Sequence, residues 1–449
     1  MPRFEYTEGT SSRFWEIERK GAVITTRWGR LGTEGQVKAQ TLKTPYAAMT
    51  AYQKQVLEKT KKGYTRVKPK DTAPAPKTNP ELEAAILQAP DADDGYLVYA
   101  DWLQGQGDPR GELIALQHAQ QQVQGAEATR LKRKAAALYK ENQGTLLGAG
   151  LMSMLGEKSL TLAWHLGFIR GARVAASDFN ADPDFDIVEV LTMLLRHPSG
   201  RFLQELTLGL PDRDDDPGYN EVVEVLTKWA PTTLKTLFIG DFVFPDEAEL
   251  SWVPLGNLAP LLKALPQLTS LRLRGGDARL GTLDLPELRR FTLESAALPR
   301  TAVQAIASAQ WPKLEHLEVW FGGDEHGGRG RASDVQPILD AAGLPRLKHL
   351  GLSNAAFSED LAPLLTKSKV LRQLESLDLS NGTLRDSDAA VLAASAAAFK
   401  HLKKLDVSRN LLTRKGVKLL ANLCPVVATG SQRDEFDDEE GLRYAAVGE

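Results

Sequence analysis

Cysteine is nearly absent from this chain: Cys424 is the only one among 449 residues. That excludes an internal disulfide framework and any metal site built from several thiolates. Long apolar runs are missing as well, and no stretch approaches the ~20 residues that a membrane-spanning helix requires. The opening MPRFEYTEGTSSRF lacks the apolar core of a secretory leader, so a cytoplasmic protein that engages no membrane is expected. Compact catalytic signatures are also lacking: there is no HExxH, GxxxxGK[ST] or GxSxG. Cys424 precedes Pro425 with no local sign of activation, which favours a packed role. FGGDEHGGRGRASD (321–334) is rich in glycine but has no Lys-Ser/Thr to finish a phosphate loop, and reads as a rim insertion. PDRDDDPG (211–218) alternates aspartates, yet Pro217 and the missing acidic residue at loop position twelve argue against a calcium hand. No enzyme, cofactor, metal or small-molecule substrate is therefore expected. Only the neighbourhood of His316, Glu318 and His349 would support a cryptic active centre.

Charge is present but unevenly spread. The whole chain carries −3, whereas residues 1–78 hold 16 Lys and Arg against 7 Asp and Glu, a net of +9. The remaining residues therefore carry −3 − 9 = −12. A basic head on an acidic body suggests that the head alone meets a polyanion. With 42% hydrophobic and 25% charged residues, the composition is that of a soluble globular protein with room for several domains.

The head reads as a small β-rich unit closed by a helix. FWEIERKG and AVITTRWG are strand-like runs that meet near Lys20-Gly21, and VKAQTL continues the pattern. Thr44-Pro45 offers an N-cap followed by proline at the first helical position, opening a helix to about Lys62. On it Ala48, Tyr52 and Val56 follow helical spacing, and Lys59, Lys61 and Lys62 gather at its end. DTAPAPKT (71–78) reads as a linker. Residues 79–117 suggest a compact helical hairpin, with Leu82, Ala85, Ile86, Leu97, Tyr99, Trp102 and Leu103 on its apolar faces. RLKRKAAALYK (130–140) is a further helix whose basic side reads as solvated.

Beyond about residue 165 the spacing apolar-x-x-apolar-x-apolar recurs. It appears as FIRGARV (168–174), FLQELTL (202–208), TLKTLFI (233–239), QLTSLRL (267–273) and ELRRFTL (287–293). It continues as KLEHLEV (313–319), RLKHLGL (346–352), QLESLDL (373–379) and HLKKLDV (401–407), with starts 20 to 34 residues apart. Helical segments such as SDAAVLAASAAAF lie between copies. Strand plus helix at this period is the signature of leucine-rich repeats, each stacking on its neighbours. Alternation turns the intervening residues onto the opposite, concave face. These are Arg173, Phe238, Arg272, Arg274, Arg290, His316, Glu318, Trp320, His349, Asp378 and Asp406, with Phe321 and Arg409 at strand ends. Ser353, Ser380 and Ser408 leave the later copies open. Arginines and large aromatics on such a face are the residue types that dominate protein interfaces. The acidic cluster in QRDEFDDEEGLRYAAVGE reads as a solvated tail or end cap.

Three resemblances follow from these residues. Trp28-Gly29-Arg30, with the preceding FWEIERKGAVITT strands, the LGTEGQ turn and the helix PYAAMTAYQKQVLEKTKKGY, resembles the WGR domain of poly(ADP-ribose) polymerases and many bacterial proteins. The resemblance implies contact with nucleic acid through Trp28 and a docking role for Arg30; no ADP-ribosyltransferase domain accompanies it. YADWLQGQGDPRGELIALQ is similar to the short companion domain that precedes leucine-rich repeats in some bacterial proteins. LESLDLSNGTLRDSDAAVLA and LKKLDVSRNLLTRKGVKLLA resemble the ribonuclease-inhibitor-like repeat class, which implies a protein partner on the concave face. The expected architecture is multidomain α/β. A small α+β WGR domain spans 1–68, a linker 69–78 and a helical companion domain 79–150. An α/β leucine-rich-repeat horseshoe follows at 151–430, with an acidic cap or tail at 431–449. The expected function is a non-enzymatic sensor or adaptor. It would bind DNA or structured RNA through Trp28, Arg27, Arg30, Lys38, Lys43, Lys54, Lys61 and Lys62. A protein partner, such as a separately encoded effector protease, would occupy the repeats. The alternative is a pure protein scaffold in which the WGR domain is a docking module.

Overall fold

Two strands rich in alternating apolar residues start the chain's first sheet. β1 (Arg3–Glu8), β2 (Ser11–Lys20), β3 (Val23–Arg30) and β4 (Gln36–Thr41) run antiparallel, and β5 (Thr65–Val67) returns beside β1. The order is β4-β3-β2-β1-β5. Phe4, Trp15, Ile17 and Ile24 fall on one face, where the helix α1 (Pro45–Lys61) buries them against Ala48, Tyr52 and Val56. Thr44 caps this helix, its hydroxyl accepting from the Ala47 amide at 3.0 Å, with Pro45 at the first turn as its fixed φ favours. The structure, a computed structural model, describes residues 3–8, 11–20, 22–67, 77–156, 159–175, 186–211, 218–323, 328, 330–434 and 445–447. Most of the expected linker, the aspartate-rich loop, part of the glycine-rich insertion and the acidic cluster lie outside the described residues.

Five helices follow: α2 (Pro80–Gln88), α3 (Asp93–Gly105), α4 (Pro109–Gln121), α5 (Gly125–Glu141) and α6 (Gln143–Ser153). The segment expected to be a hairpin thus holds three helices, because the chain leaves helical geometry at Ala89 before Asp93 restarts it. Ile86, Tyr96, Tyr99, Leu103 and Ile114 close over Phe168 and Phe202 of the following region. Arg110 is fully buried there. Its Nη1 donates to the Gly167 carbonyl at 2.8 Å and its guanidinium lies 4.8 Å from the Phe168 ring. The basic side chains of α5 are exposed, as its pattern anticipates.

An eleven-stranded sheet forms the rest. β6 (Leu160–His165) pairs antiparallel with β7 (Phe168–Val174). β8 (Glu205–Leu208) and β9 (Thr236–Ile239) continue in parallel. β10 (Pro254–Asn257) leaves the sheet to pair with β12 (Gly276–Arg279), while β11 (Ser270–Arg274) stays in it. β13 (Arg290–Glu294), β14 (His316–Gly322), β15 (His349–Ala355), β16 (Ser376–Asp378), β17 (Lys404–Asp406) and β18 (Val426–Ala428) complete it. All nine sequence copies end on strands of this sheet, which also takes in β6 and β18.

Register explains the leucine spacing. Leu206, Leu237, Leu271, Phe291, Leu317, Leu350, Leu377 and Leu405 are paired one to the next across the parallel strands. Each is at most 1% exposed, so the row is a continuous apolar spine. Leucines and valines of α7 (Ile187–Arg196), α8 (Asn220–Trp229), α9 (Ala259–Ala264) and α10 (Arg300–Ser308) pack on it. α11 (Gln336–Leu339), α12 (Ser358–Leu365), α13 (Asp386–Ala394) and α14 (Arg414–Leu420) do the same. The opposite sheet face is left to the polar and aromatic side chains.

Candidate nucleic-acid and partner-binding faces

In the first sheet, pairing sets two neighbouring cross-strand rows on the helix-covered face. One is Phe4–Trp15–Trp28, the other Tyr6–Arg13–Arg30. Trp28 is half-buried and packs against the core formed by Phe4, Trp15 and Tyr52. Its ring is therefore anchored on the core side rather than projecting alone. Arg13 and Arg30 are exposed beside it. The end of α1 approaches the same place: the Lys59 ammonium lies 5.4 Å from the Trp15 ring and 4.6 Å from Tyr64, which stacks on Tyr6 at 5.3 Å. Burial, then the charges of Lys62 and Arg13, hold the Lys59 pKa below its usual value. Arg13, Lys59 and Lys62 thus share one electrostatic field, and no described carboxylate pairs with Arg13, Arg30 or Lys62.

The glycine of the WGR tripeptide has a packing reason. A Cβ on Gly29 would stand 2.8 Å from Gly35 Cα, and one on Gly35 would stand 2.6 Å from Phe14 Cζ. Gly35 also adopts φ of 73°, where side chains are disfavoured. The two glycines let the turn after β3 fold down on Phe14 and bring Arg27 to Glu34. Arg27 lies on the other sheet face; its Nε donates to the Glu34 carbonyl at 2.7 Å and its Nη1 is 3.5 Å from Glu16. It does not join the Arg13–Arg30 end. Lys38 is exposed on edge strand β4. Lys43 and Lys61 sit at opposite ends of α1, whose 17 residues span ~26 Å at ~1.5 Å each. Lys54 is exposed along its outer side. Arg13, Tyr6 and Tyr64 were absent from the sequence expectation, although Arg13 is found by counting back across the β2–β3 hairpin from Arg30.

On the large sheet, the row beside the leucine spine runs Arg173–Thr207–Phe238–Arg272–Thr292–Glu318–Gly351–Asp378–Asp406. Most of the residues expected on one face are thus aligned along it. Phe321 is a correction: it is 3% exposed and meets Phe357 edge-on at 5.1 Å, because it shares the odd register of Leu317 and Val319. Arg409 is exposed beyond β17 with φ of 56°. Arg290 is exposed at the edge of its strand.

The basic half of this face is internally neutralised. Arg272 Nη2 and Arg274 Nε reach Glu294 at 2.9 and 2.7 Å, and Glu294 is buried. The Arg272 guanidinium lies 4.4 Å above the Phe238 ring. Arg173 pairs with Asp241 at 2.6 Å. Arg173, Asp241, Phe242, Phe244, Arg274 and Trp320 line a cavity of about 570 Å³. Glu294 follows from the same alternation as Thr292. Asp241, Phe242 and Phe244 belong to an insertion whose path the repeat pattern did not reveal.

Centrally, His316 and His349 lie side by side on β14 and β15, their rings 4.1 Å apart and within 10° of parallel. Glu318 accepts from Trp320 Nε1 at 3.0 Å and lies 3.4 Å from His316 Nε2. Burial raises the Glu318 pKa, but the contacts with His316 and Trp320 outweigh it and hold it low. Burial and the adjacent His316 push the His349 pKa down to about 4, leaving a neutral imidazole. Its Nδ1 is 2.8 Å from Ser376 Oγ, and its buried Nε2 has no hydrogen-bond partner among the described residues. Asp378 is raised by burial, with Ser380 opposing and Asp406 and Glu318 adding to it.

Residues 2–71 match the WGR domain family, a class of nucleic-acid-binding module. Protein YehF of Escherichia coli strain K12 is 32% identical to this chain over 88 residues, covering 19% of this chain and 32% of YehF. The matched stretch is thus about a third of that protein. A crystal structure of a Bacteroides fragilis protein aligns over 100% of this chain and 99% of its own, with a TM-score of 0.51 and 20% identity; the likeness is one of fold. An internalin from Listeria monocytogenes, at 16% identity, covers 60% of this chain and 92% of its own, but its TM-score of 0.21 does not relate the folds. Among the described residues, no helix is long and apolar enough to cross a membrane.

Proposed function

We propose that this chain is a non-enzymatic adaptor that holds a nucleic acid on its basic first domain and a protein partner on the open face of its large sheet. In this reading the repeats form a ribonuclease-inhibitor-like leucine-rich horseshoe, that face is concave, and the partner is a separately encoded effector.

One contrast carries the nucleic-acid half. Three exposed lysines beside the repeat strands have carboxylate partners: Lys313 with Glu287, Lys348 with Glu315, Lys403 with Glu375. In the first domain, Lys38, Lys43, Lys54, Lys61, Lys62, Arg13 and Arg30 have none among the described residues. Of these, Arg13, Arg30 and Lys62 lie at one end of the domain beside half-buried aromatic rings, an arrangement that suits phosphates and a stacked base. An exposed ion pair is already satisfied and contributes less to a polyanion.

The test is binding of the full chain to intact duplex DNA, nicked duplex and structured RNA over a salt series. The Arg13→Ala, Arg30→Ala, Lys62→Ala triple variant is expected to lose affinity by about 10-fold or more and to flatten the slope of log affinity against log salt by roughly two to three units. Unchanged affinity and slope would refute this half and favour a scaffold whose first domain docks on protein.

A further inference from the structure

The sequence supplies two histidines and a glutamate in an unusual placement. His316 and Glu318 share one side of β14 by their i, i+2 spacing, and parallel register sets His349 of β15 beside His316. One nitrogen from each ring and one Glu318 carboxylate oxygen all lie within 4.8 Å of one another. We infer that His316, Glu318 and His349 form a binding site for a divalent transition-metal cation of the zinc class.

Two imidazoles and a carboxylate are a ligand set that zinc and its borderline neighbours accept, with a fourth position open to water or to a partner's side chain. The surroundings are built as the outer shell of such a site usually is. Ser376 Oγ lies 2.8 Å from His349 Nδ1; with the proton on Nδ1, that nitrogen donates to Ser376 and Nε2 is the ligating atom. That Nε2 is buried and has no partner among the described residues, a cost that a metal–nitrogen bond would remove. Trp320 Nε1 holds one Glu318 oxygen at 3.0 Å and leaves the other facing His316. Gly351 lies between Glu318 and Asp378 in the same row; a Cβ there would come within 2.8 Å of Glu318 Cγ. Asp378 and Asp406 extend the carboxylate row, which adds to the attraction for a cation. Arg290, next to His316, and Lys404, paired with Asp406 at 3.0 Å, oppose it from the flank.

The stacked arrangement also dictates how the ion would enter. Parallel rings 4.1 Å apart cannot both aim a lone pair at one ion, since a metal sits near the plane of each imidazole at about 2.0–2.1 Å. His349 is fixed by Ser376, whereas the described contact holding the His316 imidazole nitrogen is its 3.4 Å approach to Glu318. Binding therefore turns the His316 ring out of the stack, exchanging that contact for a metal–nitrogen bond. The site belongs to the open sheet face, so an occupied site would place a positive centre with a vacant position where a partner would dock. The inference does not depend on the nucleic-acid reading.

The experiment uses the full chain, freed of metal by chelator and titrated with Zn²⁺ by calorimetry and with Co²⁺ by its ligand-field absorption. One saturating equivalent is expected, with a Co²⁺ spectrum of nitrogen and oxygen ligation and a rise in Tm. His316→Gln and His349→Gln are each expected to weaken binding by at least about 10-fold, and Ser376→Ala by a smaller factor. If a histidine variant loses its far-ultraviolet circular dichroism, Glu318→Gln, which can retain the Trp320 hydrogen bond, takes its place. Absence of saturable binding, or the same stoichiometry and affinity in the folded variants, would overturn the inference.

Discussion

Lys59 carries a cost as well as a charge. Burial and the charges of Lys62 and Arg13 lower its pKa, so over a window just below the normal lysine value the unfolded chain binds more protons than the folded one. Stability from this group therefore rises as pH increases through its folded pKa, and at neutral pH the group works against folding. Lys59→Met keeps the stem packed between Trp15 and Tyr64 while removing the ammonium. Its Tm at pH 7, measured by thermal melting, is expected to be no lower than the parent's. Its gain in stability on the alkaline side should shrink, and its affinity for polyanions should fall. A clear loss of Tm would show that the contacts with the two rings outweigh the desolvation and repulsion.

Elements position the arginines of the large sheet. Arg272 and Arg274 lie two residues apart on β11 and reach sideways to Glu294 at the end of β13. Removing the carboxylate would leave two guanidiniums adjacent over a half-covered aromatic surface. Glu294→Gln is therefore expected to destabilise by about 2 kcal/mol, toward the low end for a buried pair because Arg272 keeps solvent. Chemical denaturation measures this, and an unchanged midpoint would mean that the arginines repartner with Phe242 and Asp241. The repeat strands were legible because alternating leucines buried on one side are forced by period two. Phe321 was misplaced because it falls beyond the x-apolar positions of its copy, and only the strand's continuation to Gly322 shows that it keeps the inward register. Arg27 was misplaced for the complementary reason: adjacent residues on a strand point to opposite faces, so Arg27 and Trp28 cannot share one.

At the scale of the whole molecule, distant segments close on one another through buried polar groups. Asn354 follows the Ser353 position of β15 with φ of 52°. Its amide nitrogen donates to the Val447 carbonyl at 2.7 Å and its oxygen accepts the Val447 amide at 2.9 Å. Val447 is 2% exposed in the main core, so a segment 93 residues onward is pinned there. Asn354→Gly preserves the left-handed backbone but leaves the Val447 groups unpaired, with an expected loss of roughly 1–3 kcal/mol. Limited proteolysis should then cut the chain after residue 434 faster than in the parent; equal cutting rates would show that Val447 is held by apolar packing alone. No sequence period marks this contact, since it joins segments of unrelated pattern.

Local rules determined much from the sequence alone. The nine repeat strands follow from apolar periodicity, the start of α1 from Thr44-Pro45, and the charge split from counting. These depend on neighbours along the chain. The tertiary structure decided what depends on neighbours across it. Antiparallel pairing placed Trp28 on the core side and set Arg13 opposite Arg30, and the packing of α1 brought Lys59 near Arg13. Parallel register set His349 beside His316, and an insertion supplied the cavity wall that Arg173, Arg274 and Trp320 complete. A strand's own alternation shows which residues share a face, but the partner of each is set by pairing register, which one strand's pattern does not contain.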